Sequence, residues 1–495
     1  MSDDFLLAID QGTTSTRAIL FDCAGVSHHI ARRDLRQIYP QPGWVEHDPE
    51  EIWQAVVATC REAIAAARGR PVAAIGVTNQ RETTVLWDRA DGRPVHNAIV
   101  WQDRRTAALC EQWRADGLSV PVAERTGLVI DPYFSASKIR WLLDNVPGLR
   151  PRAEAGEIAF GTIDSFLLWR LTGGRHQTDV TNASRTMLYD LNRLAWDDAL
   201  GGAFAIPAAL LPEVRDTGAD FGSTVPALFG DAIPIAGIAG DQQAALIGQA
   251  CFRPGMVKST YGTGAFALLH TGATPARSSH RLLTTIGYRL GGETAYALEG
   301  SIFIAGAAVQ WLRDRLGIIA RAAETQELAE RADSRQRVYF VPGFAGLGAP
   351  YWAPEARGAI SGLTAECGVA ELARATLEAV GYQTRDLVAA MGADSGLAIE
   401  TLRVDGGMAA NDWAMRFVAD ILPARVERPA SVETTAWGAA YVAGLQRGLC
   451  PPPEEMIGRW QAARAFAPEM PAAEREERYA GWQRAIAATL SPGGA

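Results

Sequence analysis

An apolar run from Leu6 to Ile9 stops at a carboxylate, Asp10, and is followed by Gln11-Gly12-Thr13-Thr14-Ser15-Thr16-Arg17 and a second apolar run from Ala18 to Phe21. The pattern predicts strand, tight turn, strand, and it restricts the fold more than any other stretch of the chain. Gly12 allows close backbone approach. The turn amides and the hydroxyls of Thr13, Thr14 and Ser15 supply donors, and Arg17 supplies a fixed cation, which together suit a polyphosphate. Asp10, at the strand end, is suited to hold a magnesium ion through water. Ordinary hairpin turns draw on the same residue types, so the octapeptide alone leaves both readings open.

A second hairpin of the same design, Ser259-Thr260-Tyr261-Gly262-Thr263-Gly264-Ala265-Phe266, lies halfway along the chain and implies two related halves. A third glycine turn, Leu402 to Asn411 with Asp405-Gly406-Gly407, reads as strand, turn, helix, with the two glycines letting a flat ligand lie against backbone and a helix N-terminus facing it. A plain strand-to-helix connection has the same sequence. Together the three turns suggest one nucleotide clamped between two lobes. Lysine occurs only as Lys138 and Lys258, neither within a Walker motif, and no Gly-x-Gly-x-x-Gly turn follows the first strand. Phosphate handling therefore falls to amides, hydroxyls, arginine and metal.

The alternation of strand-like and helix-like runs gives an α/β class. Strands are expected at Leu6–Asp10, Ala18–Phe21, Ala73–Thr78, Thr84–Trp87 and Ile233–Ala239, with helices at Glu50–Ala67 and from Gln242. The second half repeats the plan. Strands fall between Met256 and His270 and at Tyr296–Glu299, and helices at Ile304–Leu316 and Val369–Met391. At 495 residues the chain exceeds one core. Two domains are expected, residues 1–249 with the first hairpin and 250–495 with the second.

A net charge of −9, with scattered arginines, argues against nucleic-acid binding. The six cysteines form no Cys-x-x-Cys and are expected to be reduced, mostly buried thiols of a cytoplasmic protein. The seven histidines suggest no zinc motif, and surface or capping roles are expected of them. The acidic opening Met1-Ser2-Asp3-Asp4 resembles neither a signal nor a transit peptide, no run spans a bilayer, and the tail Ser491–Ala495 is expected to fray.

An acceptor site is suggested by Thr78-Asn79-Gln80-Arg81-Glu82, which follows a buried strand. Open α/β sheets bind ligands at such ends, and a guanidinium beside a carboxylate can bracket the hydroxyls of a small polyol. A surface ion pair is the simpler alternative. Trp101, ending another apolar strand, and Tyr133, in Asp131-Pro132-Tyr133-Phe134, offer rings for a carbon chain. Asp241, in Gly240-Asp241-Gln242-Gln243, stands between strand and helix, where a helix N-terminus favours an ionised carboxylate able to take a proton from an alcohol. An N-cap aspartate fits the same position.

With these residues in view, the chain resembles the glycerol kinases of the sugar and polyol kinase family from about Leu6 to Trp482. The likeness is carried by the opening Asp10–Arg17, Gln37–Pro49, Asn79–Thr84, Gly127–Ser135, Thr181–Met187, Gly237–Gln243 and Gly346–Trp352. The resemblance implies two actin-like, ribonuclease-H-like domains around a nucleotide and substrate cleft. It also implies ATP-dependent phosphorylation of glycerol to sn-glycerol 3-phosphate with Mg2+. By that likeness Arg81, Glu82, Trp101, Tyr133, Asp241 and Gln242 would hold glycerol, with Asp241 the base. Thr13, Thr14, Ser15, Arg17, Thr263, Gly306, Gln310, Gly407 and Asn411 would hold the nucleotide, and Asp10 the magnesium through water. A homodimer or homotetramer is expected from the same likeness.

One segment departs from the pattern. Relatives inhibited by fructose 1,6-bisphosphate carry a basic glycine-rich loop where this chain has Gly222 to Asp231, shorter and without a cation. Two other readings stand beside this one. A kinase for another small polyol or ketose would share the site, whereas an actin-like assembly or chaperone ATPase would have no use for Arg81, Glu82 and Asp241.

Overall fold

The computed structural model describes residues 4–344, 346–353 and 355–490. The acidic opening before Asp4 and the tail from Ser491 therefore lie outside the described residues. Two sheets carry the architecture. The first contains β1 (Phe5–Gln11), β2 (Ser15–Phe21), β3 (Ser27–Asp34), β4 (Val72–Asn79) and β5 (Ile235–Gly240), in the order β5-β4-β1-β2-β3. Helix α1 (Pro49–Ala66) links β3 to β4, and α2 (Asp241–Gly248) follows β5 directly.

The second sheet contains β6 (Val257–Tyr261), β7 (Ala265–Gly272), β8 (Leu283–Leu290) and β9 (Glu293–Ile302). After α3 (Gly306–Asp314) and α4 (Val369–Ser395) come β10 (Thr401–Asp405), α5 (Asp412–Ile421), β11 (Arg425–Pro429), α6 (Thr434–Gln446) and β12 (Ala462–Phe466). Its order is β8-β9-β7-β6-β10-β11-β12. In both sheets an antiparallel hairpin (β1–β2, β6–β7) is flanked on one side by an antiparallel strand and on the other by two parallel strands, and the second sheet adds antiparallel β8 and β12 at its two edges. The repeated hairpins thus head two halves of one design.

The continuous apolar run of β1 follows from burial on both faces. Leu7 and Ile9 join the core under α1, while Leu6 and Ala8 join a core shared with α2 and α6. Helix α6 comes from the second half yet packs on the first sheet and crosses α2 at backbone contact. A Cβ on Gly248 would lie 1.9 Å from the Thr434 carbonyl oxygen, and one on Gly438 1.9 Å from that of Ala244. The connection from β4 to β5 carries its own core, including Trp113, Phe134, Ile139 and Phe160, and this insertion bears Trp101 and Tyr133.

Three expectations need correction. Trp101 does not end a strand, because the strand is only Ala98–Ile99 and the chain turns before the ring. Helix α5 does not open at the glycine turn, since a 3-10 turn, Gly407–Ala410, comes first. His47 and His270 are buried rather than superficial, and burial lowers each to about 4. The cysteines are all free, with Cys60, Cys110, Cys251 and Cys450 buried as anticipated. Among the described residues no helix is long and apolar enough to cross a membrane.

Candidate active site

Asp10 lies at the carboxyl end of β1, Arg81 and Glu82 just after β4 and Asp241 just after β5, and Arg81 reaches Glu299 of β9 in the second sheet. Arg81 Nε lies 3.3 Å from Asp241 Oδ1, and its Nη atoms meet Glu299 of β9 at 2.5 and 3.0 Å. Arg185, from the insertion, meets Glu82 at 2.7 Å and Glu299 at 3.0 Å. The four side chains of Arg81, Glu82, Arg185 and Glu299 are at most 2% exposed, which rules out the surface-pair alternative. Asp241 differs, with 31% of its side chain open to the cleft.

Each charge is set by its surroundings. Burial alone would raise Glu299, but Arg185 and Arg81 outweigh it and hold the carboxyl down to about 2. Burial wins at Glu82, which is raised despite Arg185 and Arg81. Asp241 is raised by burial at the cleft floor, against Arg81, Lys258 and the Gln242 amide. It is not an N-cap, since Gly240 holds that position and Asp241 is the first residue of α2. Its Oδ1 accepts from the Gln242 amide at 2.7 Å. Glu82 has φ of +60°, a left-handed conformation uncommon for a side-chain residue, and the Arg185 ion pair holds it there.

Aromatic rings line the acceptor side. Trp101 stands edge-on to Tyr133 at 5.6 Å and to Phe266 at 6.2 Å, all three half-buried. Trp101 Nε1 donates to Thr13 Oγ1 at 2.9 Å, which ties the acceptor wall to the first hairpin. Gln242 adjoins Asp241, and its Oε1 accepts from Lys258 Nζ.

The nucleotide-side residues gather more loosely. Thr14 and Thr263 are exposed at the two hairpin tips, Ser15 less so. Arg17 pairs with Asp10 and, across the halves, with Glu433 just before α6. The second hairpin is docked on α3 through backbone, with Gly306 N to Gly262 O at 3.0 Å and Ala307 N to Thr263 O at 3.0 Å. Gln310 faces outward from α3, and Gly407 is exposed. Gly406, at φ +87°, admits Tyr261, whose carbonyl oxygen would be 2.4 Å from an added Cβ. Asn411 caps α5, accepting from Ala414 N at 3.0 Å, while its Nδ2 donates to Thr325 at 3.2 Å. Among the described residues no group of three or more His, Cys, Asp or Glu is arranged for a metal ion. The Asp10 carboxylate suits a magnesium ion that keeps most of its ligands as water and phosphate.

The model for the FGGY family of carbohydrate kinases matches as an N-terminal domain over residues 5–248 and a C-terminal domain over 257–447. The chain belongs to this family. It is 61% identical to the glycerol kinase of Methylobacterium nodulans over 494 residues, covering 98% of each chain. It is 59% identical to that of Bradyrhizobium sp., covering 98% of this chain and 99% of that one. Among solved structures, Plasmodium falciparum glycerol kinase with ADP superposes with a TM-score of 0.94 at 36% identity, covering 99% of both chains. A xylulose kinase from Lactobacillus acidophilus, at 22% identity and a TM-score of 0.90, shares the fold.

As an FGGY kinase the chain has two α/β domains, and several of its cleft residues escaped the sequence reading. Glu299 and Lys258 are single charges in buried strands, Arg185 sits among polar residues after a short helix, and Phe266 is the last residue of a hairpin motif. The available signal was the charge itself, because a lone lysine or glutamate within a buried strand needs partners.

Proposed function

We propose that this FGGY kinase transfers the terminal phosphoryl group of ATP to a terminal hydroxyl of glycerol, giving sn-glycerol 3-phosphate and ADP. The observation that carries the reading is the part-open Asp241 held 3.3 Å from the buried guanidinium of Arg81, which itself is bound to Glu299 of the second sheet. The glycerol kinases named above support the choice of acceptor.

In this reading Arg81, Glu82 and Gln242 bind the hydroxyls, and Trp101, Tyr133 and Phe266 cover the carbon chain. Asp241 accepts the hydroxyl proton as the O–P bond forms, and the bond to the ADP oxygen breaks in line. Thr13, Thr14, Ser15, Arg17 and Thr263 hold phosphates, while Gly306, Gln310, Gly407 and Asn411 flank the nucleoside. Magnesium, when bound near Asp10, neutralises phosphate charge. Domains of residues 1–249 and 250–495 close on both substrates and keep water from the phosphoryl group.

Glycerol-dependent ADP release tests the reading. A rate that rises with glycerol and exceeds that with dihydroxyacetone, erythritol or pentuloses is expected. A stronger response to one of those would shift the acceptor, and indifference to every polyol would point to an assembly or chaperone ATPase.

A further inference from the structure

The chain has two lysines, and both are fully buried at 0% exposure. Lys138 has a plain structural task, its Nζ donating to the Tyr133 and Phe134 carbonyl oxygens at 2.6 and 3.2 Å. Lys258 is placed differently. It rises from β6 in the second half and donates to Gln242 Oε1 on α2 of the first, to Thr260 Oγ1 at 3.1 Å and to the Phe266 carbonyl oxygen at 3.4 Å. An ammonium taken out of water is expensive unless its partners compensate. Two of those partners, Gln242 and Phe266, are acceptor-wall residues.

We infer that Lys258 is a positioning residue for the acceptor, fixing the Gln242 side-chain amide with its oxygen turned from the cleft and its Nε2 toward the substrate. The inference rests on the acceptor reading of the Asp241 side. An ammonium has donors only, whereas an amide has one accepting and one donating end, so of the Gln242 amide Lys258 can engage only Oε1. Among the described residues Gln242 Nε2 meets no protein acceptor. Consecutive residues of one helix turn therefore present an acceptor, Asp241, and a donor, Gln242. That pair matches a hydroxyl, which donates and accepts at once, and disfavours an ammonium, which cannot accept.

Lys258 also acts through space. Asp241, Asp405, Glu299 and Arg81 are the charges around it, and burial lowers it to about 8 in spite of the three carboxylates. Its positive charge in turn opposes the rise of Asp241.

Steady-state kinetics of the full chain across pH, with ADP binding by calorimetry as the check on folding, decide the matter. Lys258→Met is expected to raise KM for glycerol about tenfold or more, with KM for ATP within about twofold, a loss of one well-placed charged hydrogen bond. The acid limb of kcat should move to higher pH, and Lys258→Arg, which keeps the charge, should move it back. Gln242→Glu keeps the Lys258 contact but offers the cleft an acceptor, so KM for glycerol should rise comparably. A wild-type glycerol KM in either Lys258→Met or Gln242→Glu, or an unmoved acid limb in Lys258→Met, would overturn the inference. Should Lys258→Met lose ADP binding, Gln242→Glu decides alone. If wild-type protein ignored glycerol and all other polyols, the acceptor reading itself would fall, a result distinct from any variant's failure.

Discussion

The two walls of the cleft are built in opposite ways. On the acceptor side, Arg81, Glu82, Arg185 and Glu299 are buried and bound to one another, drawn from β4, the insertion and β9. On the nucleotide side, Thr14, Thr263, Gln310 and Gly407 are exposed, and the second hairpin is fixed by backbone hydrogen bonds to α3. In the proposed reading the difference follows from ligand size. A three-carbon polyol offers few contacts, so the protein must hold every polar group in place beforehand, whereas a nucleotide brings charge and surface enough to order part of its own site.

If the acceptor wall is the chemically committed one, its open carboxylate should be the most sensitive position. Asp241→Asn is expected to lower kcat about a thousandfold, the loss of a general base, while ADP binding measured by calorimetry survives. Near-normal turnover would remove Asp241 as the base and with it the contrast between the walls.

The next effect is on stability. Glu299→Gln takes the shared carboxylate from Arg81 and Arg185, and breaking a buried pair costs about 3–5 kcal/mol, read by chemical denaturation. The matching change on the other wall, Gln310→Ala, should stay within about 0.5 kcal/mol. Similar losses would erase the distinction. Acid titration adds a signature. Glu299 is held down to about 2 in the folded state, below its unfolded value of about 4.3. Its stabilisation is therefore present above about pH 4.3 and lost as pH falls toward 2. Glu299→Gln should lack that part of the acid dependence.

The same contrast explains what the sequence made legible. The hairpins were readable because their signals are local: apolar runs bounded by glycine and hydroxyls put β1 at Phe5–Gln11 and β2 at Ser15–Phe21, near the anticipated limits. Arg81, Glu82 and Asp241 stood out at strand ends for the same reason. Glu299 did not, because its partner Arg81 is 218 residues away, and one glutamate in an apolar strand names no partner. Arg185 and Lys258 were hidden likewise. Asn411, expected at the nucleotide, caps α5 with its side chain, a role visible only with the helix start displaced by the 3-10 turn.

A smaller loss is expected at the third glycine turn. Gly406→Ala puts a Cβ 2.4 Å from the Tyr261 carbonyl oxygen at a φ of +87°. Strain of this kind costs about 1–3 kcal/mol, and the turn should shift away from β6. ADP affinity should fall about tenfold while KM for glycerol stays unchanged. A fall in glycerol affinity as well would mean that the walls are mechanically one piece.

The smallest effect, and the one that sharpens the comparison most, is expected at Glu433. Arg17 is shared between Asp10 and Glu433, and the pair is part-exposed, with 28% and 16% of the Arg17 and Glu433 side chains open. In the proposed reading a phosphate arriving at the first hairpin would meet a guanidinium already paired with two carboxylates, one of them from the other half of the chain. Removing the Glu433 charge in Glu433→Gln leaves Arg17 anchored on Asp10 and takes an anion from beside the polyphosphate. ADP should then bind roughly two- to fivefold more tightly, about 1 kcal/mol or less for a part-exposed ion pair, with the gain shrinking at high salt. Weaker binding instead would mean that Glu433 holds Arg17 in its working position, which would make the nucleotide wall as organised in advance as the acceptor wall.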